Sequence, residues 1–328
     1  MLLINAKEVR ELLSMKEAIE SNKKAFLLHS AGETEVPVRT CFDLDGRDLV
    51  LIMPAYVKGD VKQVGVKLVS VFPENIKRGL TSVPAQVLLF DLQTGFIKVM
   101  LAGTELTRIR TGAISGVATD TLARRDASVF ALFGTGGQAV SQLEAVLCVR
   151  DIKEVRIFDV DAARISTFIE ANRALAEKYG AGLVAAKSPA EAIDGADVIT
   201  TVTTSSTAVF DGTMVKKGAH VNGVGSYLPT TQELDTRLLN RARVFVDNRE
   251  TVMAEAGDFL IPIKNGDYKA DKIAGEIGDV LAGKLVGRSS DDEITVLKTV
   301  GYAVLDVVAA NIVYENAITR GIGTEVDI

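Results

Sequence analysis

The first 32 residues show apolar positions at helical spacing. Ser14 followed by Glu17 is a capping-box pattern, in which each side chain can accept the backbone N–H of the other residue. Gly32 is a typical residue just beyond a helix end. We therefore predict a helix over residues 1–32.

From about Val36 to Leu101 the pattern changes to that of β-strands. Two pairs of strand-type segments flank turn signals, Asp45-Gly46 in the first pair and Gln93-Thr94-Gly95 in the second. A further β-rich segment, GVKLVSVF, lies between the two pairs. The pattern predicts an antiparallel sheet or partial barrel in this part of the chain.

Strand-type segments alternate with helical segments from about residue 112 to residue 300. The helical segments are 137–149, 162–178 and a short one after Ser188, and the strand-type segments are ASVFALF, VRIFD, LVAA, DVITTV, HVNGVG and RVFVD. This alternation indicates parallel strands with helices on both faces of the sheet, which is a doubly wound fold.

The last apolar stretch is predicted as one long helix, from Thr295 to about Arg320, that ends at Gly321. The chain has 328 residues, too many for one ordinary core. We predict two domains, one of residues 1–111 with 301–328 and one of residues 112–300. The predicted fold class is α/β, with a Rossmann parallel sheet inserted into a mixed β/α domain.

Composition argues against several classes of function. The formal net charge of -6 argues against a surface that binds a nucleic-acid backbone. No apolar run is long enough to predict a membrane span. The two cysteines lack the spacing of metal ligands, so no metal site is predicted. These features favour a cytoplasmic protein.

Residues 134–139 match the G-x-G-x-x-A dinucleotide fingerprint, between an apolar strand and a helix. The first glycine allows a tight turn, the second lets the backbone approach a pyrophosphate, and the small last residue allows close helix–strand packing. The helix N-terminus offers free N–H groups to phosphates. The predicted cofactor-binding residues here are Gly134, Thr135, Gly136, Gly137, Gln138 and Ala139.

Asp159 lies 20 residues after Ala139, at the end of the strand VRIFD. A carboxylate there can bind both ribose hydroxyls and repel a 2′-phosphate, which favours NAD(H) over NADP(H). Arg164 is a nearby basic residue that would loosen this preference. Five residues near the ends of two later strands are also predicted to line the cofactor groove: Thr203, Thr204, Ser205, Val224 and Gly225. For Thr203, Thr204 and Ser205 the alternative is an ordinary polar loop.

An ordered set of motifs extends over nearly the whole chain. They are VPVRT (36–40), LIMPAY (51–56), VGVKLV (64–69), TRIRTGAISGVAT (107–119), the glycine motif, VNGVGSYLPTTQELD (221–235), EAGD (255–258) and DEITVLKTVG (292–301). With these motifs the chain resembles the ornithine cyclodeaminase/mu-crystallin family, which includes archaeal-type alanine dehydrogenases and ketimine reductases. The resemblance implies a substrate-binding and dimerisation domain, an inserted Rossmann domain and a homodimer.

In that family, basic residues hold the carboxylate of a small amino or imino acid. The matching positions are Arg39, Lys67 and Arg110. A guanidinium can bind a carboxylate through two parallel hydrogen bonds, and a lysine near other cations has a lowered pKa that suits acid–base catalysis. The sequence leaves two alternatives open. One is that Arg108 binds the carboxylate instead of Arg110, and the other is that Arg39 is a solvated surface charge.

One position departs from the family pattern. Cyclodeaminases and the alanine dehydrogenase branch carry an Asp in the turn after the VNGVG-type strand, and that Asp engages the amino groups of the substrate. Tyr227 takes its place here. Tyrosine is a poor base near neutral pH because its ordinary pKa is about 10. The departure favours imine reduction, with Tyr227 predicted to stack on or hydrogen-bond to the imine.

The sequence thus predicts an NAD(H)-dependent oxidoreductase that acts at the α-carbon of a small amino or imino acid. Reduction of a cyclic ketimine, of the Δ1-pyrroline-2-carboxylate or Δ1-piperideine-2-carboxylate type, is the first interpretation. The alternatives are alanine-dehydrogenase-like reductive amination of a 2-oxo acid, ornithine cyclodeamination, and small-ligand binding of the mu-crystallin kind. His29 and His220 are predicted to be structural, because no nucleophile–acid pattern accompanies them.

Overall fold

The computed structural model describes residues 1–327, which form two compact units. Unit 1 consists of Met1–Arg110 and the segment from Tyr302 onward, and unit 2 consists of Thr111–Gly301. Each unit is built on its own eight-stranded sheet within the described residues. No helix among these residues is long and apolar enough to cross a membrane.

The strands are β1 (Leu2–Ile4), β2 (Thr34–Glu35), β3 (Thr40–Leu44), β4 (Asp48–Val57), β5 (Gln63–Val71), β6 (Ala85–Phe90), β7 (Ile97–Ala102), β8 (Val129–Phe133), β9 (Glu154–Phe158), β10 (Gly182–Ala185), β11 (Val198–Thr201), β12 (His220–Gly223), β13 (Arg243–Val246), β14 (Ile273–Glu276), β15 (Thr295–Lys298) and β16 (Thr324–Glu325). The helices are α1 (Ala6–Leu12), α2 (Met15–Ser30), α3 (Gly103–Leu122), α4 (Ala139–Val149), α5 (Ala162–Lys178), α6 (Pro189–Ile193), α7 (Thr236–Arg241), α8 (Arg249–Glu255), α9 (Gly257–Asn265), α10 (Ile277–Leu281) and α11 (Ala303–Arg320).

The sheet of unit 1 has the order β16-β1-β7-β6-β5-β4-β2, with β3 also paired to β4. Strand β1 runs parallel to β7, and the remaining pairs are antiparallel. Both predicted hairpins are confirmed. Asp45, Gly46 and Arg47 form the three-residue turn between β3 and β4, and Asp45 and Gly46 have positive φ angles. Gly95 lies in the turn between β6 and β7.

The two faces of this sheet differ in character. Met53 of β4 and Lys67 of β5 are register partners on the buried face, against which α11 packs. On the opposite face Ile52 and Leu68 are register partners, and Phe42 of β3 lies on the same side. Phe42 and Leu68 are 52% and 38% exposed. The sheet therefore covers one apolar core and presents a second, uncovered apolar surface.

The prediction of a single helix over residues 1–32 is wrong. The chain first forms β1, which pairs with β7, and then two separate helices. Asn5 caps α1, and Leu13 ends it with extended backbone. The capping box of Ser14 and Glu17 is present, but it begins the second helix, α2. The pairing of β1 with a distant strand leaves no local signal in the sequence.

The predicted C-terminal helix begins later than expected. Thr295–Lys298 is the strand β15, which lies between β12 and β13. Helix α11 starts at Ala303, after Gly301, whose φ of +74° lies in the left-handed region that favours glycine. A short apolar run fits a strand and a helix equally well, which explains the error. The predicted end at Gly321 is confirmed.

Unit 2 contains a parallel sheet with the order β10-β9-β8-β11-β12-β15-β13-β14. The order reverses between β8 and β11. Phe130 and Leu132 of β8 pack into one core with α4 and α5, while Ala131 and Phe133 pack into a second core with α7, α8 and α9. Both faces are therefore covered, and the prediction of a Rossmann doubly wound sheet inserted into a mixed β/α unit is confirmed.

Candidate active site

Three charged side chains meet inside unit 1. Lys67 of β5, Arg110 of α3 and Asp306 of α11 are 3%, 4% and 0% exposed. Asp306 Oδ2 accepts a hydrogen bond from Lys67 Nζ at 2.6 Å, and Asp306 Oδ1 accepts one from Arg110 Nε at 2.9 Å. One buried carboxylate thus joins two of the three basic residues predicted to hold a substrate carboxylate. We call these three residues the Asp306 cluster.

Asp306 itself is not among the predicted site residues. It is the one charged residue in the apolar stretch AVLDVVAANIV, residues 303–313. An ionised carboxylate on a buried helix face needs a charged or hydrogen-bonding partner, because burying it alone is costly. That lone acid is the signal from which a cationic partner could have been predicted.

The structure also distinguishes the neighbouring arginines. Arg39 lies just before β3, with its Nη1 3.9 Å from Sδ of Met53, the register partner of Lys67. The positive charge of Arg39 acts on Lys67 and contributes to lowering its pKa. Arg108 pairs instead with Glu105, in a more exposed position. Arg39 therefore belongs beside the Asp306 cluster, and Arg108 does not.

Burial lowers the pKa of Lys67 from 10.5 to about 8, and the charges of Arg110 and Arg39 act in the same direction, against that of Asp306. Burial also acts to raise the pKa of Asp306, but Arg110 and Lys67 outweigh it and hold that pKa below its ordinary value. At pH 7 Asp306 is ionised and Lys67 is protonated. A lysine of this kind can exchange a proton with a substrate near neutral pH.

The fingerprint glycines of unit 2 lie between β8 and α4. Gly134 has a φ of +98°, and a Cβ there would lie 2.7 Å from the carbonyl oxygen of Val202. At Gly136 the nearest atom to an added Cβ is Nη2 of Arg164, 4.0 Å away, so the backbone is open on this side. A backbone that no side chain covers, placed before a helix N-terminus, leaves room for a pyrophosphate to approach the N–H groups. Thr135, Gly137 and Gln138 lie in the same turn, and Ala139 is the first residue of α4.

Asp159 lies directly after β9, beside the fingerprint turn. Its Oδ2 accepts hydrogen bonds from the backbone N–H and the hydroxyl of Thr135, at 2.9 and 2.6 Å. Burial acts to raise the pKa of Asp159, but hydrogen bonds from Thr135 and Asp161 and the charge of Arg164 hold it below its ordinary value. An ionised carboxylate held at this position fits the hydroxyls of a ribose.

The other predicted cofactor residues lie in two loops of unit 2. One loop follows β11 and contains Thr203, Thr204 and Ser205, and the other follows β12 and contains Val224 and Gly225. Strands β11 and β12 are adjacent and parallel, so both loops lie at the carboxyl edge of the sheet. This edge is where doubly wound folds bind their ligands.

Tyr227 lies in the second of these loops and is partly buried. Burial raises the pKa of its phenol, so the hydroxyl stays protonated at neutral pH. Tyr227 is therefore able to stack or to donate a hydrogen bond, but it is not a base under these conditions.

His220 is buried in β12, where its two ring nitrogens lie 3.0 Å from Thr295 Oγ1 and from Asn222 Oδ1. Burial lowers its pKa to about 3, which leaves the ring neutral at pH 7. The prediction of a structural role for His220 agrees with these contacts.

Comparison with known proteins gives matches over the whole chain. The model of the ornithine cyclodeaminase/mu-crystallin family matches residues 1–321. A Delta(1)-pyrroline-2-carboxylate reductase of Bacillus cereus is 40% identical over 329 aligned residues, which cover 100% of both chains.

Two solved structures have closely similar folds. Delta(1)-pyrroline-2-carboxylate reductase of Thermococcus litoralis, in complex with NADH and L-proline, gives a TM-score of 0.95 at 38% identity and covers 99% of this chain and 100% of that one. An archaeal alanine dehydrogenase dimer with bound NAD gives a TM-score of 0.92 at 34% identity and covers 100% of this chain and 99% of that one. The resemblance carried by the motifs is thereby confirmed, and this chain belongs to the ornithine cyclodeaminase/mu-crystallin family.

Proposed function

We propose that this protein is an NAD(H)-dependent reductase of cyclic ketimines that carry a 2-carboxylate, of the Δ1-pyrroline-2-carboxylate or Δ1-piperideine-2-carboxylate type. The observation that carries the proposal is the Asp306 cluster, because it places an acid–base lysine beside a carboxylate-binding arginine. Full-length similarity to Delta(1)-pyrroline-2-carboxylate reductases supports this choice of substrate.

Arg110 and Arg39 bind the substrate carboxylate in this proposal. Asp306 engages only Nε of Arg110, and the two terminal nitrogens make no hydrogen bond within residues 1–327. They are therefore available for a bidentate contact. Lys67 and Arg110 bring two positive charges against the single negative charge of Asp306. The excess favours a substrate that carries a carboxylate.

Lys67 supplies the proton that the reaction requires. Reduction of a C=N bond adds a hydride to the α-carbon and a proton to the nitrogen, and bound NADH supplies the hydride. Lys67 donates its proton to the imine nitrogen, directly or through a water, and a pKa of about 8 makes this donor effective near neutral pH. Asp306 stabilises the protonated lysine before the transfer.

The alternatives within the family require different groups. Cyclodeamination of ornithine needs a base for the distal amine, and Tyr227 stays a neutral phenol because burial raises its pKa. Alanine-dehydrogenase-like reductive amination is the second candidate, because the archaeal alanine dehydrogenase is similar in fold over the full chain. Binding without turnover, as in the mu-crystallins, is the third outcome to be tested.

A substrate panel followed at 340 nm tests the proposal. We expect NADH to be consumed with the cyclic imines and not to be consumed in their absence. NADH consumption that requires pyruvate and ammonia would support an alanine dehydrogenase. Release of ammonia from ornithine without net NADH consumption would support an ornithine cyclodeaminase. Tight ligand binding without any turnover would support a binding protein. NADPH, run in parallel, is expected to be the poorer cofactor because Asp159 repels a 2′-phosphate.

We further propose that the protein is a homodimer formed through the uncovered face of the unit 1 sheet. Phe42, Leu44 and Leu68 are large apolar residues exposed on this sheet. An extended apolar surface is typical of a protein–protein interface, and the archaeal alanine dehydrogenase of similar fold is a dimer. The cytoplasmic location inferred from composition stays a prediction.

The exchange Leu68→Glu should convert the dimer into monomers. In each protomer the new carboxylate would be buried against an apolar interface without a partner, which we expect to weaken association roughly 100-fold or more. Light scattering after size-exclusion chromatography measures this effect. Val184→Glu is the matched control, because Val184 is an equally exposed strand residue of unit 2. A monomeric wild type, or an unchanged dimer in Leu68→Glu, would contradict this interface.

A further inference from the structure

A buried carboxylate joins the two cofactor loops of unit 2. Glu233 is 0% exposed and lies between β12 and α7. Its Oε1 accepts a hydrogen bond from the backbone N–H of Thr203 at 2.5 Å. Its Oε2 accepts hydrogen bonds from the backbone N–H groups of Gly225 and Ser226, at 2.5 and 3.0 Å. One side chain therefore fixes the loop after β11 to the loop after β12.

The two loops are in close backbone contact at Gly225. A Cβ added to Gly225 would lie 2.1 Å from the carbonyl oxygen of Thr203 and 2.6 Å from Oε1 of Glu233. Only glycine lets the loops approach this closely while the carboxylate reaches both. Glu233 therefore lies at the point where the two loops approach each other most closely.

Asp258, paired with Lys298, fixes the backbone at Glu233. Asp258 Oδ1 accepts hydrogen bonds from the backbone N–H groups of Glu233 and Leu234, at 2.7 and 2.8 Å. Asp258 Oδ2 lies 2.9 Å from Nζ of Lys298, and both side chains are fully buried. Burial raises the pKa of Glu233, against the charge of Lys298 and the hydrogen bond from Thr203. Both carboxylate oxygens accept backbone N–H groups, and the ionised form offers acceptors to all three donors.

Strand order indicates which half of a dinucleotide these loops meet. The order reverses between β8 and β11, and a dinucleotide lies across such a reversal. Asp159, after β9, lies on the side that binds the adenosine ribose. The loops after β11 and β12 lie on the other side, which is that of the nicotinamide riboside.

We propose that Glu233 is a positioning residue that holds the two loops together as a preformed surface for the nicotinamide riboside half of NAD(H). The inference rests on the proposed function only for the identity of the cofactor. Glu233 does not touch the cofactor in this account, but acts through the backbone of Thr203, Gly225 and Ser226. Preformed loops favour binding, because little freedom is then lost when the ligand arrives.

The exchange Glu233→Gln tests this role. The amide keeps the shape of the side chain, but its NH2 group cannot accept a hydrogen bond from a backbone N–H. We expect NADH to bind roughly 10- to 100-fold more weakly. ADP lacks the nicotinamide riboside, and its affinity should stay that of the wild type. Isothermal titration calorimetry measures both ligands on the full-length protein.

Asp235→Asn is the matched control. Asp235 is a nearly buried carboxylate two residues further on, where it caps α7 and accepts the N–H groups of Gly212 and Arg237 rather than those of the cofactor loops. Its exchange should leave the ratio of NADH to ADP affinity unchanged. That result would separate loop positioning from a general loss of structure.

Two results for Glu233→Gln would overturn the inference: wild-type affinity for NADH, or an equal loss of affinity for NADH and ADP. If Glu233→Gln does not fold, Glu233→Asp replaces it, because aspartate keeps the charge but is too short to reach all three N–H groups. The ratio of NADH affinity to ADP affinity is then compared with that of the wild type. A wild type that binds NADH but reduces no imine would refute the proposed function and leave the role of Glu233 standing.

Discussion

Replacing Lys67 by methionine is expected to lower kcat for imine reduction by roughly 10²- to 10⁴-fold, the range that a general acid contributes. Methionine preserves the bulk of the buried side chain but has no proton to donate. Asp306 retains Arg110 as a partner at 2.9 Å, so its charge does not become isolated. The affinity for NADH should stay unchanged, because the predicted cofactor residues belong to unit 2.

The measurement combines steady-state kinetics at 340 nm with calorimetric titration of NADH. Lys98→Met is the matched control, since Lys98 is a partly buried lysine of the same unit that lies over the ring of Tyr314. Its exchange should leave kcat within a few-fold of the wild type. Wild-type turnover in Lys67→Met would remove Lys67 from the mechanism.

Replacing Asp306 by asparagine is expected to shift the alkaline limb of the kcat/KM profile to lower pH. The Asp306 carboxylate raises the pKa of Lys67, whereas burial and the charges of Arg110 and Arg39 lower it. Without the carboxylate only the lowering influences remain, so Lys67 loses its proton at a lower pH. At pH 8 about half of Lys67 is protonated in the wild type, so a shift of one pKa unit should lower the protonated fraction, and with it kcat/KM, roughly fivefold.

The same exchange should lower stability, since removing one partner of a buried ion pair costs roughly 3–5 kcal/mol. Loss of the proton from Lys67 will reduce that cost, most strongly at alkaline pH. Glu105→Gln is the control, because Glu105 pairs with Arg10 and Arg108 and not with Lys67. An Asp306→Asn enzyme whose alkaline limb coincides with that of the wild type would show that Asp306 does not set the charge of Lys67.

The Rossmann half of the fold could be predicted because its signals are local. The fingerprint glycines, the strand before them and Asp159 all lie within about 30 residues, and each has a defined physical task. The two hairpins of unit 1 were equally visible, since Asp45-Gly46 and Gln93-Thr94-Gly95 carry their turn conformations in their own residue types. Long-range pairing was not visible, which is why β1 and the strand β15 were both assigned to helices.

The candidate site was predicted unevenly for a similar reason. Lys67 and Arg110 were found through motifs, and Lys67 also stands out as a cation inside an apolar strand. Asp306 lies more than 190 residues away from either of them, and only the packing of α11 on the sheet brings it to them. Glu233 was missed because its role depends on three backbone N–H groups, which no side-chain motif reports.

The most direct measurement follows the hydride itself. The enzyme is incubated with Δ1-pyrroline-2-carboxylate, and in parallel with Δ1-piperideine-2-carboxylate, together with NADH that carries deuterium at both C4 positions. The products are analysed by mass spectrometry and NMR. We expect the product, proline or its six-membered analogue, to carry one deuterium on its α-carbon. Failure to consume either imine, or a product without deuterium at that carbon, would contradict hydride transfer from NADH to the α-carbon.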